Sequence, residues 1–234
     1  MNLEEVLNYR RSVRVFDREK QLDPEKVKHC LELATLAPNS SNMQLWEFYQ
    51  VTQPDIQSLS WPDCDFNSFR DCRFCYTSEF ISEQGQVCTR FWKRERQTKQ
   101  SPGASGKTYQ GQRTLLWKVN AVSLCPLLWH TGFLLTKAIG LFRPIVREVS
   151  EGDMRVVVHK SCALAAQTFM IAMANEGYDT CPLEGFDSKQ MKKLLKLPHG
   201  AGVNMVIACG IRDGNKGIWG ERGRVPFNEV YHRV

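Results

Sequence analysis

The stretch RVVVHKSCALAAQTFMIAMANE, residues 155–176, decides how this chain folds. Ala163, Ala165, Ala166, Phe169, Met170, Ala172 and Met173 leave it little polar face, the mark of a helix buried on most sides. Its small residues permit close packing, and Gly177 is a natural C-terminal stop. Beyond it, Asp187 can cap a helix running to about Lys196, with Pro198 as the stop. Met205–Ile211 is an apolar run of strand length, as expected of a central strand covered on both faces.

Toward the N-terminus, Leu3, Val6 and Leu7 have helical spacing, which predicts a short helix over 2–10. Asp23-Pro24-Glu25 starts another, with a capping Asp before Pro at the first helical position. Val27, Cys30, Leu31 and Ala34 form its apolar face, and Pro38 ends the region. Phe48–Thr52 reads as a strand. Helices and strands mix without a βαβ rhythm, so the chain reads as one α+β, sandwich-like domain over 1–234. The polar tail 221–234 is expected on a surface or wrapped around a partner.

Bulk properties agree. A chain of 234 residues with 42% hydrophobic and 24% charged residues can bury a sizeable core and is not a disordered chain. A net charge of +6 is mildly basic and suits an anionic ligand. Residues 1–14 lack the apolar run of a signal peptide. The most apolar stretch, Leu124–Phe142, is broken by Pro126, His130 and Lys137, so no membrane span is expected. Nine cysteines without an export signal read as reduced thiols, with the cytoplasm as the expected compartment.

Residues from about 58 to 133 differ from their flanks. They hold five of the nine cysteines and four of the six tryptophans, with poor periodicity. Three readings stand side by side. Cys72 and Cys75 have the pair spacing of a zinc site, with Cys64 and Cys88 as possible partners and no second CxxC. Basic residues from Arg90 to Lys107 lie near Phe91, Trp92 and Tyr109, as in a nucleic-acid patch. The third is a shifted reading frame. Read one nucleotide on, Leu115–Pro126 permits an ordinary amphipathic segment, and Arg73-Phe-Cys-Tyr-Thr permits Val-Phe-Val-Thr. Neither a metal nor a nucleic-acid partner is assigned to the chain.

Four clusters carry chemistry. Arg10-Arg11-Ser12-Val13-Arg14 sets three guanidiniums and a hydroxyl where they suit a phosphate. Ala37-Pro38-Asn39-Ser40-Ser41-Asn42-Met43-Gln44-Leu45-Trp46 crowds amides and hydroxyls into a helix-to-strand connection, able to bond a polar heterocycle or a sugar-like chain. Cys181-Pro182-Leu183-Glu184-Gly185-Phe186-Asp187 offers a turn whose Gly185 lets backbone approach a planar ligand. Gly220-Glu221-Arg222-Gly223-Arg224 puts two arginines at i and i+2, on one side of an extended segment. Each alone is equally compatible with a capped loop, a turn or a solvated basic tail.

Their order is more specific. Arg-Arg-Ser-x-Arg-x-Phe from residue 10, Ala-Pro-x-Ser-x-Asn-x-Gln-x-Trp from 37, Pro-x-Glu-Gly-Phe-Asp from 182 and Gly-x-Arg-x-Arg from 220 together resemble the FMN-dependent nitroreductase family. The resemblance covers residues 1–57 and 134–234. Asn39 stands where that family commonly has Ser, and Leu45 where it commonly has Pro. The resemblance implies a homodimeric α+β fold with a central, mostly antiparallel sheet flanked by helices and FMN at the dimer interface. It assigns Arg10, Arg11, Ser12 and Arg14 to the phosphate and ribityl chain, and Arg222 and Arg224 to the same phosphate. Asn39, Ser40, Ser41, Asn42 and Gln44 would approach the flavin, some from the second subunit. Pro182, Leu183, Glu184 and Gly185 would pack on the ring, with backbone N–H groups near N5. The implied activity is ping-pong hydride transfer from NAD(P)H through FMN to a small acceptor such as a nitroaromatic or quinone. Alternatives are a flavin-binding protein without turnover, or an inactive product of a shifted frame. No catalytic acid, base or nucleophile is assigned, and His29, His159 and His199 read as core or surface residues.

Overall fold

A computed structural model describes residues 1–17, 19–40, 44, 46–51, 71–77, 141–142, 151–197 and 201–234. In chain order the elements are helix α1 (Leu3–Tyr9), helix α2 (Pro24–Ala34), strands β1 (Trp46–Val51) and β2 (Asp71–Thr77), helix α3 (Glu151–Asn175), strand β3 (Asp179–Leu183), helix α4 (Ser188–Leu194), strand β4 (Gly202–Gly210) and helix α5 (Phe227–Val230).

Local chemistry explains the helix starts. Asn2 and Glu5 form a reciprocal capping box on α1: the Glu5 N–H donates to Asn2 Oδ1 at 2.9 Å and the Asn2 N–H to Glu5 Oε2 at 2.9 Å. Asp23 accepts the Glu25 N–H at 2.9 Å, and Pro24 opens α2 where its missing N–H removes nothing. Asp187 accepts the Lys189 and Gln190 N–H groups at 2.8 and 3.0 Å to start α4.

The four strands form one antiparallel sheet in the order β1-β2-β4-β3. Strand β4 is apolar because both of its faces are covered. Ile207 and Cys209 join Val27, Cys30 and Ala34 of α2 and Cys162, Ala166, Phe169 and Met173 of α3 in the main core. On the opposite face Val203 and Val206 pack with Met191 of α4 and Val51, while Ala208 packs with Val13, Phe16 and Cys181. Strand alternation alone would put Val203 on the main-core face. The register of β2 on β4 skips Asn204, pairing Cys75 with Met205 and Tyr76 with Val203. That bulge resets the alternation and turns Asn204 toward α3, where its Nδ2 donates to the His159 carbonyl at 3.1 Å.

Helix α3 matches the stretch that decided the fold, beginning at Glu151 rather than 155 and ending at Asn175. Among the described residues it is the one helix long and apolar enough by composition to cross a membrane. Here it is the core helix, with α1, α2 and all four strands against it. Strand β1 starts at Trp46, earlier than the pattern suggested, since Trp46 already pairs with Thr77. Residues 71–77, inside the atypical stretch, are a strand as written, between β1 and β4. Cys64, Cys88, the basic segment 90–107 and residues 115–126 lie outside the described residues, as does His199. His29 is exposed and His159 half-buried, in keeping with surface and core-edge roles.

Candidate functional site

The basic segment after α1 forms an extended arm along the sheet edge. The Val13 N–H donates to the Thr180 carbonyl at 3.2 Å, Arg14 N–H to Gly217 O at 3.1 Å, and Asp17 N–H to Ile211 O at 2.7 Å. Isolated bridges join Ser12 to Thr180 and Phe16 to Arg212. Val13 and Phe16 are buried, whereas Ser12 is exposed and Arg10, Arg11 and Arg14 are half-buried. The apolar residues therefore anchor the arm and leave its cationic side chains at the surface. Two glycines make room for it. A Cβ at Gly210 would lie 2.5 Å from Cγ of Phe16, and one at Gly217 would lie 2.5 Å from the Val15 backbone nitrogen.

The chain's C-terminal segment closes on the arm. Arg11 Nη2 donates to the Gly220 carbonyl at 2.8 Å. Arg222 reaches the other way: Nη1 donates to Leu7 O at 3.0 Å, and Nη2 to Asn8 O at 3.1 Å and Arg10 O at 2.6 Å. A guanidinium there satisfies the last carbonyls of α1 and complements the negative end of its dipole. The Arg14 guanidinium sits 4.0 Å above the Trp219 ring. The sequence did not single out Trp219; its only signal was a tryptophan standing just before Gly220.

The electrostatics of this cluster are one-sided. Burial, and then the neighbouring Arg224, Arg10 and Arg11 cations, press the Arg222 guanidinium below its ordinary value. Among the described residues none of Arg10, Arg11, Arg222 and Arg224 pairs with a carboxylate. Arg10 and Arg14 also lie close enough to β3 to oppose the rise that burial imposes on the Cys181 thiol. Arg10, Arg11, Arg222 and Arg224 thus lie close enough to repel one another, and Arg10 and Arg14 lie near β3, a concentration of positive charge that attracts anions.

Strand β3 leads from this region into the turn at Pro182–Gly185. Pro182 and Leu183 are half-buried, and Glu184 and Gly185 are exposed. Among the described residues, a Cβ added at Gly185 would meet nothing within 4 Å, so the backbone there faces open space. The Phe186 N–H is turned back to Glu184 O at 3.0 Å, which fixes the turn before the Asp187 cap.

The 37–46 connection stands apart from the arm. Its described hydrogen bonds run to α3 and within itself: the Ser40 N–H to Ser161 Oγ at 3.2 Å, and the Gln44 N–H to Asn39 Oδ1 at 3.0 Å. Gln44 is exposed and holds a left-handed φ of 52°, uncommon for a residue with a side chain. Ser41 and Asn42 lie outside the described residues. Arm, tail and the end of β3 therefore converge in one chain, while Ser40 is tied to Ser161 of α3.

Comparisons with known proteins agree with this architecture. The family model described as Nitroreductase family matches residues 7–211. Protein DrgA of Synechocystis is 23% identical over 237 residues, covering 98% of this chain and 95% of that protein. A crystal structure from Exiguobacterium sibiricum, solved in complex with FMN, superposes with a TM-score of 0.71 at 16% identity, over 100% of this chain and 98% of its own. A nitroreductase family protein from Streptococcus pneumoniae gives 0.67 at 17% identity, over 100% of both chains. With the family match spanning most of its length and the helix-flanked antiparallel sheet common to these structures, this chain belongs to the nitroreductase family.

Proposed function

We propose that this chain is an FMN-dependent oxidoreductase that uses NAD(P)H to reduce a small electron acceptor such as a nitroaromatic or quinone. The observation that carries the reading is the cluster of Arg10, Arg11, Arg14, Arg222 and Arg224 beside an open glycine turn. The donor set fits FMN at both ends: guanidiniums for its phosphate, and uncovered backbone at Gly185 for its planar ring. When bound, FMN would supply the two-electron chemistry, in a ping-pong cycle between NAD(P)H and the acceptor.

The chain's own part is binding and orientation. Ser12, exposed on the arm between Arg11 and Val13, would hold a ribityl oxygen or phosphate oxygen. Arg10, Arg11, Arg14 and Arg224 would neutralise the phosphate, with Arg222 fixing the end of α1 against it. Pro182, Leu183, Glu184 and Gly185 would line one face of the ring. The Asn39–Gln44 loop would reach a flavin from a second copy of the chain; Ser40 is held against Ser161 of α3. Exposed Val156 and Leu164 on α3, and Val225, Phe227, Val230 and Tyr231 in the tail, suit such a homodimer.

The test is direct. The purified protein should be yellow, and adding NADH or NADPH under argon should bleach it, with colour restored by an acceptor. A bound flavin that never bleaches would reduce the reading to a binding protein. A folded protein that takes up no FMN would refute it. Sedimentation should find a dimer.

A further inference from the structure

Asp179 is the one buried charged residue among the described residues, at 2% exposure, and it is not near solvent to serve a ligand. It accepts the Arg212 N–H at 2.9 Å on one oxygen and Arg212 Nε at 2.9 Å on the other, with Arg212 Nη2 on that second oxygen as well. The same Nη2 reaches the Tyr9 carbonyl at 3.3 Å. The guanidinium lies 4.4 Å from the centre of the Tyr9 ring, and the Tyr9 hydroxyl donates to Gly177 O at 2.8 Å. One ion pair thus ties together the end of α1, the end of α3, the start of β3 and the exit of β4.

Both ends of the arm depend on these residues. Tyr9 directly precedes Arg10. Thr180, next to Asp179, receives the Val13 N–H, and Arg212 bridges Phe16. A buried ion pair is a weak source of stability compared with a well-packed apolar pair, but it is directional. Here both guanidinium donors converge on one carboxylate oxygen while the Arg212 backbone N–H takes the other, and these directional bonds fix orientation where apolar contacts would tolerate sliding.

We propose that Asp179, Arg212 and Tyr9 form a clamp that positions the Arg10–Arg14 arm, setting the affinity for a phosphate-bearing ligand without touching it. The identity of that ligand rests on the flavin reading above; the geometry of the arm does not.

The experiment uses the full-length chain with Asp179→Asn and, as a milder variant that keeps the ion pair, Tyr9→Leu. Two quantities are read: amide hydrogen exchange at Val13 and Arg14, and the dissociation constants of FMN and of riboflavin, which lacks the phosphate. Asp179→Asn should speed arm exchange and weaken FMN binding by about tenfold, the loss expected when one charge-assisted hydrogen bond goes slack. Riboflavin affinity should hold at its wild-type value, and exchange of β4 amides should rise by less than that of the arm. Tyr9→Leu should move the same quantities in the same direction by less, and it decides the matter alone if Asp179→Asn does not fold. The clamp is overturned if arm exchange or the FMN-to-riboflavin ratio stays at its wild-type value, or if β4 loosens as much as the arm. A wild-type chain that binds neither flavin overturns the flavin reading instead; inorganic phosphate then replaces FMN as the probe, and the same comparison still decides the clamp.

Discussion

Two guanidiniums end on the same turn of backbone on opposite terms. Arg212 reaches Tyr9 O while gripping the buried Asp179 carboxylate. Arg222 reaches Leu7, Asn8 and Arg10 O with no carboxylate partner among the described residues, and with Arg10, Arg11 and Arg224 beside it. The first cation is neutralised within the fold. The second is held only by carbonyl dipoles, so its cluster keeps a net positive field outward. The difference separates a cation neutralised by a buried carboxylate from cations whose charge no carboxylate among the described residues balances.

The largest effect should come from breaking the first pair. Asp179→Ala leaves the Arg212 charge without its partner and should lower stability by about 3–5 kcal/mol in urea denaturation. If the loss is under ~1 kcal/mol, Arg212 is not held as described and the contrast with Arg222 collapses. Next is the room made for the arm. Gly217→Ala drives a methyl group into the Val15 backbone, where a Cβ already lies at 2.5 Å, and should cost about 1–3 kcal/mol with weakened FMN binding.

Arg222→Ala removes the cap on α1 and should cost about 1 kcal/mol by thermal unfolding. It should weaken FMN as well, and flatten the salt dependence of that binding. Smallest in stability is Arg224→Ala. The side chain is exposed, and it donates to the adjacent Gly223 carbonyl at 2.6 Å, so the melting temperature should barely move. FMN affinity should nonetheless fall by about tenfold while riboflavin affinity holds, as for the loss of one phosphate contact. Equal losses for both flavins would remove Arg224 from the phosphate site.

Parts of this arrangement were legible in the chain and parts were not. Helix α3 and strand β4 declare themselves through long, consistent apolar patterns, β4 because both of its faces are covered and α3 because its exposed side also carries apolar residues such as Val156 and Leu164. The helix starts at Asp23 and Asp187 follow from side-chain capping alone. Strand β3 is hidden by Pro182, which a central strand would not accept; at the sheet edge its missing N–H leaves no ladder bond unmade. That the two basic segments meet followed only from the family resemblance, since like charges by themselves repel. Which acceptor Arg222 takes could not be inferred, since charge patterning does not distinguish a phosphate from three helix carbonyls. The Asp179–Arg212 pair spans 33 positions and leaves no local trace. The motif residues from 37 to 46 were visible, but the contact of Ser40 with Ser161, 121 positions away in α3, was not.

The meeting of the two ends also sets an order of assembly. Arg11 and Gly220 are 209 positions apart, and Arg222 and Arg10 are 212. Contacts of such separation form against the full loop-closure entropy of the chain, after local helices have nucleated. During synthesis α1 and the arm emerge well before the residues that close over them. A ribosome-bound chain shortened before Gly220 should hold α3 and β4 yet leave the end of α1 uncapped. Ligand capture would then wait until residues 220–224 have been made and have folded back onto the arm.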